Sequence, residues 1–276
     1  MPYITVNQKR LHYADSNPAA EGQTYVFIHG LGSSQNYYGA VLPHLTPSTN
    51  RCIAIDTYGS GRSHYTGLEQ SIDSIAQDIV KVMDALKVPK AVLVGHSMGG
   101  TVVLHLAARY PTRVVALVTI GPVHPTASTG QIFEKRIQIV SEDGMEPIAN
   151  SVPRAATGSG STPLQRAFIR ELILGQSPEG YVSLCHVVSE ATAPDYAAVK
   201  APLLIIAGDE DKSAPLEGCK HILAHASSST KTLEILQGVG HWHCIEASDE
   251  HVDTEYARWF NEQKITSSYY AFVGRR

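Results

Sequence analysis

Residues Ala91 to Gly100 read Ala-Val-Leu-Val-Gly-His-Ser-Met-Gly-Gly, and this stretch decides the fold. Ala91-Val92-Leu93-Val94 is a short apolar run of the kind buried on both faces of a parallel sheet. Gly100 to Tyr110 has a helix pattern closed by Pro111, so Gly95-His96-Ser97-Met98-Gly99 falls on the turn between strand and helix. The pentapeptide fits G-x-S-x-G, which by itself arises by chance in roughly one chain in ten of this length. Its position makes it informative. A serine at such a turn is held in a strained backbone conformation that exposes Oγ, and the flanking glycines let strand and helix pack without side-chain clashes. Ser97 is therefore the candidate nucleophile.

Outward from this turn the same alternation continues. Tyr25 to Ile28, Cys52 to Ile55, Val114 to Ile120, Leu203 to Ala207 and Leu233 to Leu236 are further buried-strand runs, mostly separated by helix-period segments. The clearest helix follows Ser71, where Ile72, Ile75, Ala76, Ile79, Val82, Met83 and Leu86 mark one stripe. Ser71 is its expected cap, and Val88-Pro89 its end. Pro2 to Val6 and Arg10 to Asp15, around Asn7-Gln8-Lys9, read as an antiparallel hairpin at a sheet edge. The expectation is a doubly wound, mostly parallel α/β sheet with right-handed crossovers.

Between Val123 and Val199 the alternation stops. Ile132, Phe133, Arg136, Ile137 and Val140 share one helical face, Leu164, Phe168, Ile169, Leu172 and Ile173 a second, and Tyr181, Leu184, Cys185 and Val188 a third. Thr157 to Thr162 reads as a loop within this region. The expected division is a core of residues 1–123 and 199–276 carrying a helical cap, or lid, over 124–198.

The 276 residues carry 22 Lys+Arg against 26 Asp+Glu, a formal −4, with 17% charged and 43% hydrophobic residues. That balance excludes disorder and gives no electrostatic footprint for nucleic acid. Apolar stretches such as Val114 to Val118 fall far short of the ~20 residues of a spanning helix, so no membrane partner is expected. The N-terminus lacks a charged-then-apolar leader, and Cys52, Cys185, Cys219 and Cys244 have no zinc or redox spacing. Reduced thiols and a cytoplasmic location follow as expectations. The tail Ser267 to Arg276 has no reading beyond docking or disorder, and a homo-oligomer stays open.

A serine nucleophile needs a base and an acid that orients it. Gly240-His241-Trp242 follows the last strand and offers His241, whereas His96 and His105 read as structural. His243 and Cys244 lack the companions of a metal site, so neither metal nor cofactor is expected. Asp211 in Gly208-Asp209-Glu210-Asp211 fits the acid best, with Asp209 as the alternative, and Gly121-Pro122-Val123-His124 contains no carboxylate. His29-Gly30-Leu31-Gly32 supplies a turn beside the nucleophile. Backbone N–H groups of Leu31 and Met98 are the expected oxyanion hole. Asp56 to Ser63 lacks the third glycine and the helix of a dinucleotide motif, and reads as a structural loop. Tyr37, Tyr58, His124 and Tyr181 are candidate pocket residues from strand-end loops and the cap.

Taken in order, HGLG, DTYGSGRS, GHSMGG, GDED and GHW resemble the α/β-hydrolase superfamily across nearly the whole chain. The resemblance implies an eight-stranded sheet with a helical cap and a triad of Ser97, Asp211 and His241. A serine nucleophile argues against the dehalogenase and epoxide-hydrolase branches, which use aspartate. Gln176 to Tyr181, and Asp195-Tyr196 leading into Pro202-Leu203-Leu204, are similar to the oxoadipate enol-lactonase branch. Arg136 and Arg154 fall where that branch also has arginines, and could meet a substrate carboxylate or be solvated cap charges. The chain departs from that branch at His29-Gly30 and at Ala155-Ala156. The expected function is cleavage of a small carboxylic ester or lactone through an acyl-enzyme. A slow-turnover ligand receptor on the same scaffold, and acyl transfer, carbon–carbon bond hydrolysis or perhydrolysis with the same residues, are the alternatives.

Overall fold

The structure, a computed structural model, describes residues 2–45 and 50–247. The tail Ser267 to Arg276 lies outside the described residues. The chain opens with β1 (Tyr3–Val6) and β2 (Lys9–Ser16), paired antiparallel with Val6 opposite Lys9. Asn7 and Gln8 between them both have positive φ (47° and 65°), the backbone of a two-residue hairpin turn that matches strand twist. There follow β3 (Thr24–Ile28), α1 (Leu42–Leu45), β4 (Arg51–Ile55), α2 (Ile72–Ala85), β5 (Ala91–His96), α3 (Met98–Arg109) and β6 (Val114–Ile120). Four helices come next, α4 (Ala127–Asp143), α5 (Glu146–Ala155), α6 (Pro163–Leu174) and α7 (Pro178–Ser189). β7 (Leu203–Gly208), α8 (Leu216–His225), β8 (Lys231–Leu236) and the single turn α9 (His243–Glu246) complete the described chain.

The eight strands form one sheet in the order β1-β2-β4-β3-β5-β6-β7-β8. β2 runs antiparallel to β1 and β4, and every other pairing is parallel. The carboxyl ends of the parallel strands therefore share one edge, where ligands bind in open α/β sheets.

Strand side chains alternate between two apolar layers. Val26, Ile28, Leu93, Leu117 and Ile205 join the core under α2, α3 and α8. Tyr25, Phe27, Val92, Val94, Val118 and Leu204 face the opposite layer, where Ile148, Ile169, Ile173 and Tyr181 from α5, α6 and α7 also pack. Each fully buried aliphatic side chain contributes about 1.5–3 kcal/mol relative to exposure, so the central strands are the most strongly held part of the molecule.

Ser71 caps α2 as its sequence predicts: its Oγ accepts the Ser74 N–H, and Ser74 Oγ accepts the Ser71 N–H. One expectation needs correction, and one helix had none. On α6, Leu164 and Phe168 are 78% and 42% exposed, while Ile169, Leu172 and Ile173 are buried. At 3.6 residues per turn, Leu164 lies about 130° round the helix from the centre of the buried three, off the face that packs. Helix α5 is absent from the sequence reading. It spans Pro153, which supplies no N–H to the Ala149 carbonyl one turn back and whose own carbonyl accepts the Thr157 hydroxyl (2.7 Å).

Candidate active site

The edge of the sheet positions Ser97. It leaves β5 with φ 55° and ψ −119° and starts α3. Such a conformation costs a non-glycine residue of order 1–3 kcal/mol, so its surroundings must hold it. Ser97 N–H donates to the carbonyl of Ile120 (2.9 Å), and its own carbonyl accepts the N–H of Gly100 (2.9 Å). A Cβ on Gly95 would run into the Gly99 carbonyl, and one on Gly99 into the Ile28 carbonyl. The strand and helix meet backbone to backbone here, which only glycine permits.

Three side chains from three loops then converge. Ser97 Oγ lies 2.9 Å from His241 Nε2, and His241 Nδ1 lies 2.8 Å from Asp211 Oδ2. The other carboxylate oxygen, Oδ1, accepts the N–H groups of Ser213 and Ala214, both at 2.8 Å. Burial pushes the Asp211 carboxyl up, but the charge and hydrogen bond of His241, His243 and the Ala214 N–H together hold it below the usual range. A carboxylate so held accepts only, so the His241 proton sits on Nδ1 and Nε2 is free to accept from the Ser97 hydroxyl. Asp209, the alternative acid, instead accepts the Gly238 N–H (2.7 Å).

Two more buried rings stand behind His241. His96 Nε2 and His243 Nδ1 both approach the His241 carbonyl, at 2.8 and 2.9 Å. A carbonyl only accepts, so each ring carries its proton on that nitrogen. Among the described residues His96 Nδ1 and His243 Nε2 have no hydrogen-bond partner, and His243 Nε2 lies 4.0 Å from Asp211 Oδ2. Burial lowers the affinity of both rings for a second proton, so both are neutral. His105 pairs with Asp73 on α2 (2.9 Å), away from Ser97. The Asp56 to Ser63 loop is bonded within itself and to its neighbours: the Ser63 hydroxyl donates to the Asp56 carbonyl (2.7 Å), and the buried Asp56 carboxylate accepts the Arg62 and Gln35 N–H groups and meets His12 (2.8 Å). Among the described residues, no group of three or more His, Cys, Asp or Glu could hold a metal ion.

Ser97 and His241 open into a narrow void of about 30 Å³, lined also by Leu31, Tyr181, Ile173 and Trp242. Val123, Phe133, Arg136, Val152, Ala156 and Ser213 line both this void and a wider one of about 700 Å³. The wider one is walled by His124, Lys212 and His221. Arg136 Nη1 is 3.5 Å from the Tyr181 hydroxyl and the guanidinium lies over the Phe133 ring. Burial pushes the Tyr181 phenol up to about 12, so it stays protonated at neutral pH.

Of the expected pocket residues, His124, Arg136 and Tyr181 line these voids, and three others do not. Tyr37 is buried with its ring stacked on His96 (4.1 Å between centroids), one layer behind the nucleophile. Tyr58 is buried in the α2–α3 core, its hydroxyl bonded to Thr66 (2.7 Å). Arg154 is exposed on α5, whose buried side is formed by Ile148, Ala149 and Pro153. Leu31 lines the inner void, while Met98 is the buried first residue of α3, where a helix leaves its N–H groups without intrahelical partners. Trp242, Val152 and Ser213 had no signal in the sequence beyond lying next to, or packing over, the motifs.

Residues 25–167 match the family described as alpha/beta hydrolase fold. The chain belongs to this family. It is 27% identical over 239 residues to 3-oxoadipate enol-lactonase 2 of Acinetobacter baylyi, covering 85% of this chain and 87% of that protein. The fold of this α/β hydrolase also superposes on the crystal structure of the enol-lactonase from Burkholderia xenovorans LB400, with a TM-score of 0.88 at 23% identity, covering 94% and 100% of the two chains. A thermophilic esterase from Thermogutta terrifontis gives 0.85 at 21% identity, covering 95% and 99%.

Proposed function

We propose that this α/β hydrolase cleaves a small carboxylic ester or lactone with Ser97 as nucleophile, His241 as general base and Asp211 as the orienting acid. The observation that carries the reading is the unbroken path from Ser97 Oγ to His241 Nε2 (2.9 Å) and from His241 Nδ1 to Asp211 Oδ2 (2.8 Å). Similarity to an enol-lactonase supports the substrate class.

In this mechanism Ser97 Oγ bonds to the substrate carbonyl carbon as its proton passes to His241 Nε2, and Asp211 stabilises the imidazolium through Nδ1. The negative charge moves to the carbonyl oxygen, which the N–H groups of Leu31 and Met98 receive. One such donor is typically worth about 3–4 kcal/mol in the transition state. Collapse breaks the ester C–O bond, and the imidazolium protonates the leaving oxygen. Water then attacks the acyl-serine with His241 again as base, releasing the acid. The helices of residues 124–198 act as a cap over the core of 1–123 and 199–276, and the two connected voids receive the substrate. No helix among the described residues is long and apolar enough to cross a membrane, and the four cysteines are free and buried. Both suit a cytoplasmic enzyme.

Hydrolysis of p-nitrophenyl acetate by wild type and Ser97→Ala tests the reading. We expect kcat to fall by at least about 10⁴-fold. Equal rates would remove Ser97 from the chemistry.

A further inference from the structure

Every backbone N–H from Gly240 to Trp242 is engaged, and the partners come from two places. His241 N–H donates to the Ala156 carbonyl (2.7 Å), Gly240 N–H to Glu246 Oε2 (3.0 Å), and Trp242 N–H to Glu246 Oε1 (2.8 Å). The same Glu246 Oε2 also accepts Gly158 N–H (2.7 Å) and the Ser161 hydroxyl (2.8 Å). Residues 156–162 join α5 to α6. One carboxylate therefore ties the loop carrying His241 to the connection between two helices inserted over the sheet. The two backbones touch directly, since a Cβ on Gly158 or Gly240 would run into the other segment.

The carbonyl of the same residue is held from the core. His96 from the end of β5, and His243, hold the His241 carbonyl. The ring that must meet Ser97 thus hangs from a joint, with its amide side fixed by the inserted helices and its carbonyl side by the sheet. A displacement of about 1 Å at such a ring costs on the order of 100-fold in rate.

We propose that Glu246 is a positioning residue for His241: it clamps the loop of the base to the α5–α6 connection, so that seating of the inserted helices sets the distance from His241 Nε2 to Ser97 Oγ. The inference rests on the reading of Ser97 and His241 as nucleophile and base. A purely structural Glu246 would lower thermal stability but leave kcat unchanged wherever the protein is folded.

The experiment measures kcat and KM on p-nitrophenyl acetate, well below each variant's melting temperature, for Glu246→Ala, Glu246→Gln, Ser161→Ala and Glu210→Ala. For Glu246→Ala we expect kcat to drop about 10- to 100-fold with KM within about threefold. Gln keeps one acceptor oxygen and should recover part of the loss. Ser161→Ala removes one bond on the connection and none on 240–242, so about a two- to fivefold drop is expected, which keeps the test open if Glu246→Ala does not fold. Glu210→Ala is the control: its carboxylate accepts Ser159 N–H and Oγ on the same connection without touching 240–242, and wild-type kcat is expected. Wild-type kcat in Glu246→Ala and Ser161→Ala, or an equal loss in Glu210→Ala, overturns the proposal. If Ser97→Ala is inactive while Glu246→Ala keeps wild-type kcat, only the positioning role fails. If Ser97→Ala stays active, the hydrolase reading fails first.

Discussion

The two ends of the cavity are made differently. Around Ser97 the geometry comes from backbone and buried rings: a strained φ, glycine contacts between strand and helix, and a carboxylate pinned by two amides. Over it, Phe133, Arg136, Val152, Ile173 and Tyr181 reach in from four helices, and the polar contact between Arg136 and Tyr181 is a long 3.5 Å. The first end has little room for substitution, because its side chains are held by backbone contacts and by buried hydrogen bonds. The second is a shape made by side chains, and side chains can change without disturbing the chemistry below. Reaction type should therefore reside in one region and substrate choice in the other.

The sharpest way to break that division is Asp211→Asn. Oδ1 already takes the N–H groups of Ser213 and Ala214, so the amide oxygen of Asn must stay there and its NH₂ must face His241 Nδ1. The proton of the imidazole is then forced onto Nε2, which cannot accept from Ser97. A loss of about 10⁴-fold in kcat with an unchanged fold is expected. The tautomer is readable from the ring nitrogen shifts by NMR. Asp209→Asn, whose parent carboxylate accepts the Gly238 N–H away from His241, should leave kcat near wild type.

Acid should destabilise the fold through its buried histidines. His29, His96 and His243 are buried, and burial lowers the proton affinity of each in the folded state. Below an unfolded value of about 6.5 the unfolded chain binds protons that the folded rings refuse, so stability present at neutral pH is lost as pH falls, down to the folded values. Each ring contributes up to about 1.4 kcal/mol per pH unit in that window, and the three together up to about 4. Asp211, held low, adds to the same trend only below about pH 4. Melting temperature followed from pH 7 to pH 5 should fall steeply. His243→Asn, which retains a donor for the His241 carbonyl, should flatten that fall by one proton's worth.

The contrast also explains what could be read from the sequence. Ser97, His241 and Asp211 each follow a strand end in a short, glycine-marked motif, because backbone geometry of that kind leaves local traces. The expected strands Ala91 to Val94 and Val114 to Ile120 lie within or coincide with β5 and β6. Tyr37 and Tyr58 looked like pocket residues because they follow strand ends, but loop position does not say which way a ring turns, and both turn inward. Glu246 left no trace. Its partners at 158, 161, 240 and 242 are linked by a carboxylate bonding mostly to backbone amides, which no residue pattern encodes. Helix α5 was hidden for a different reason: Pro153 interrupts its hydrogen bonding, and only Ile148, Ala149 and Pro153 mark its buried side.

The smallest effect expected separates the two arginines. Arg136 lines both voids and pairs with no carboxylate among the described residues, while Arg154 lies exposed on the outer side of α5. An ester carrying its own carboxylate, such as a p-nitrophenyl hemisuccinate, would bring a counter-ion to Arg136. Arg136→Ala should then lower kcat/KM for that ester about fivefold relative to p-nitrophenyl acetate, the value of one partly solvated charge pair near ~1 kcal/mol. Arg154→Ala should change the ratio less than about twofold, since an exposed cation outside the cavity is screened by water and salt. Equal ratios in both variants would mean that the charge over the cavity does not select substrates, and that selection rests on the apolar walls of Phe133, Val152 and Ile173 alone.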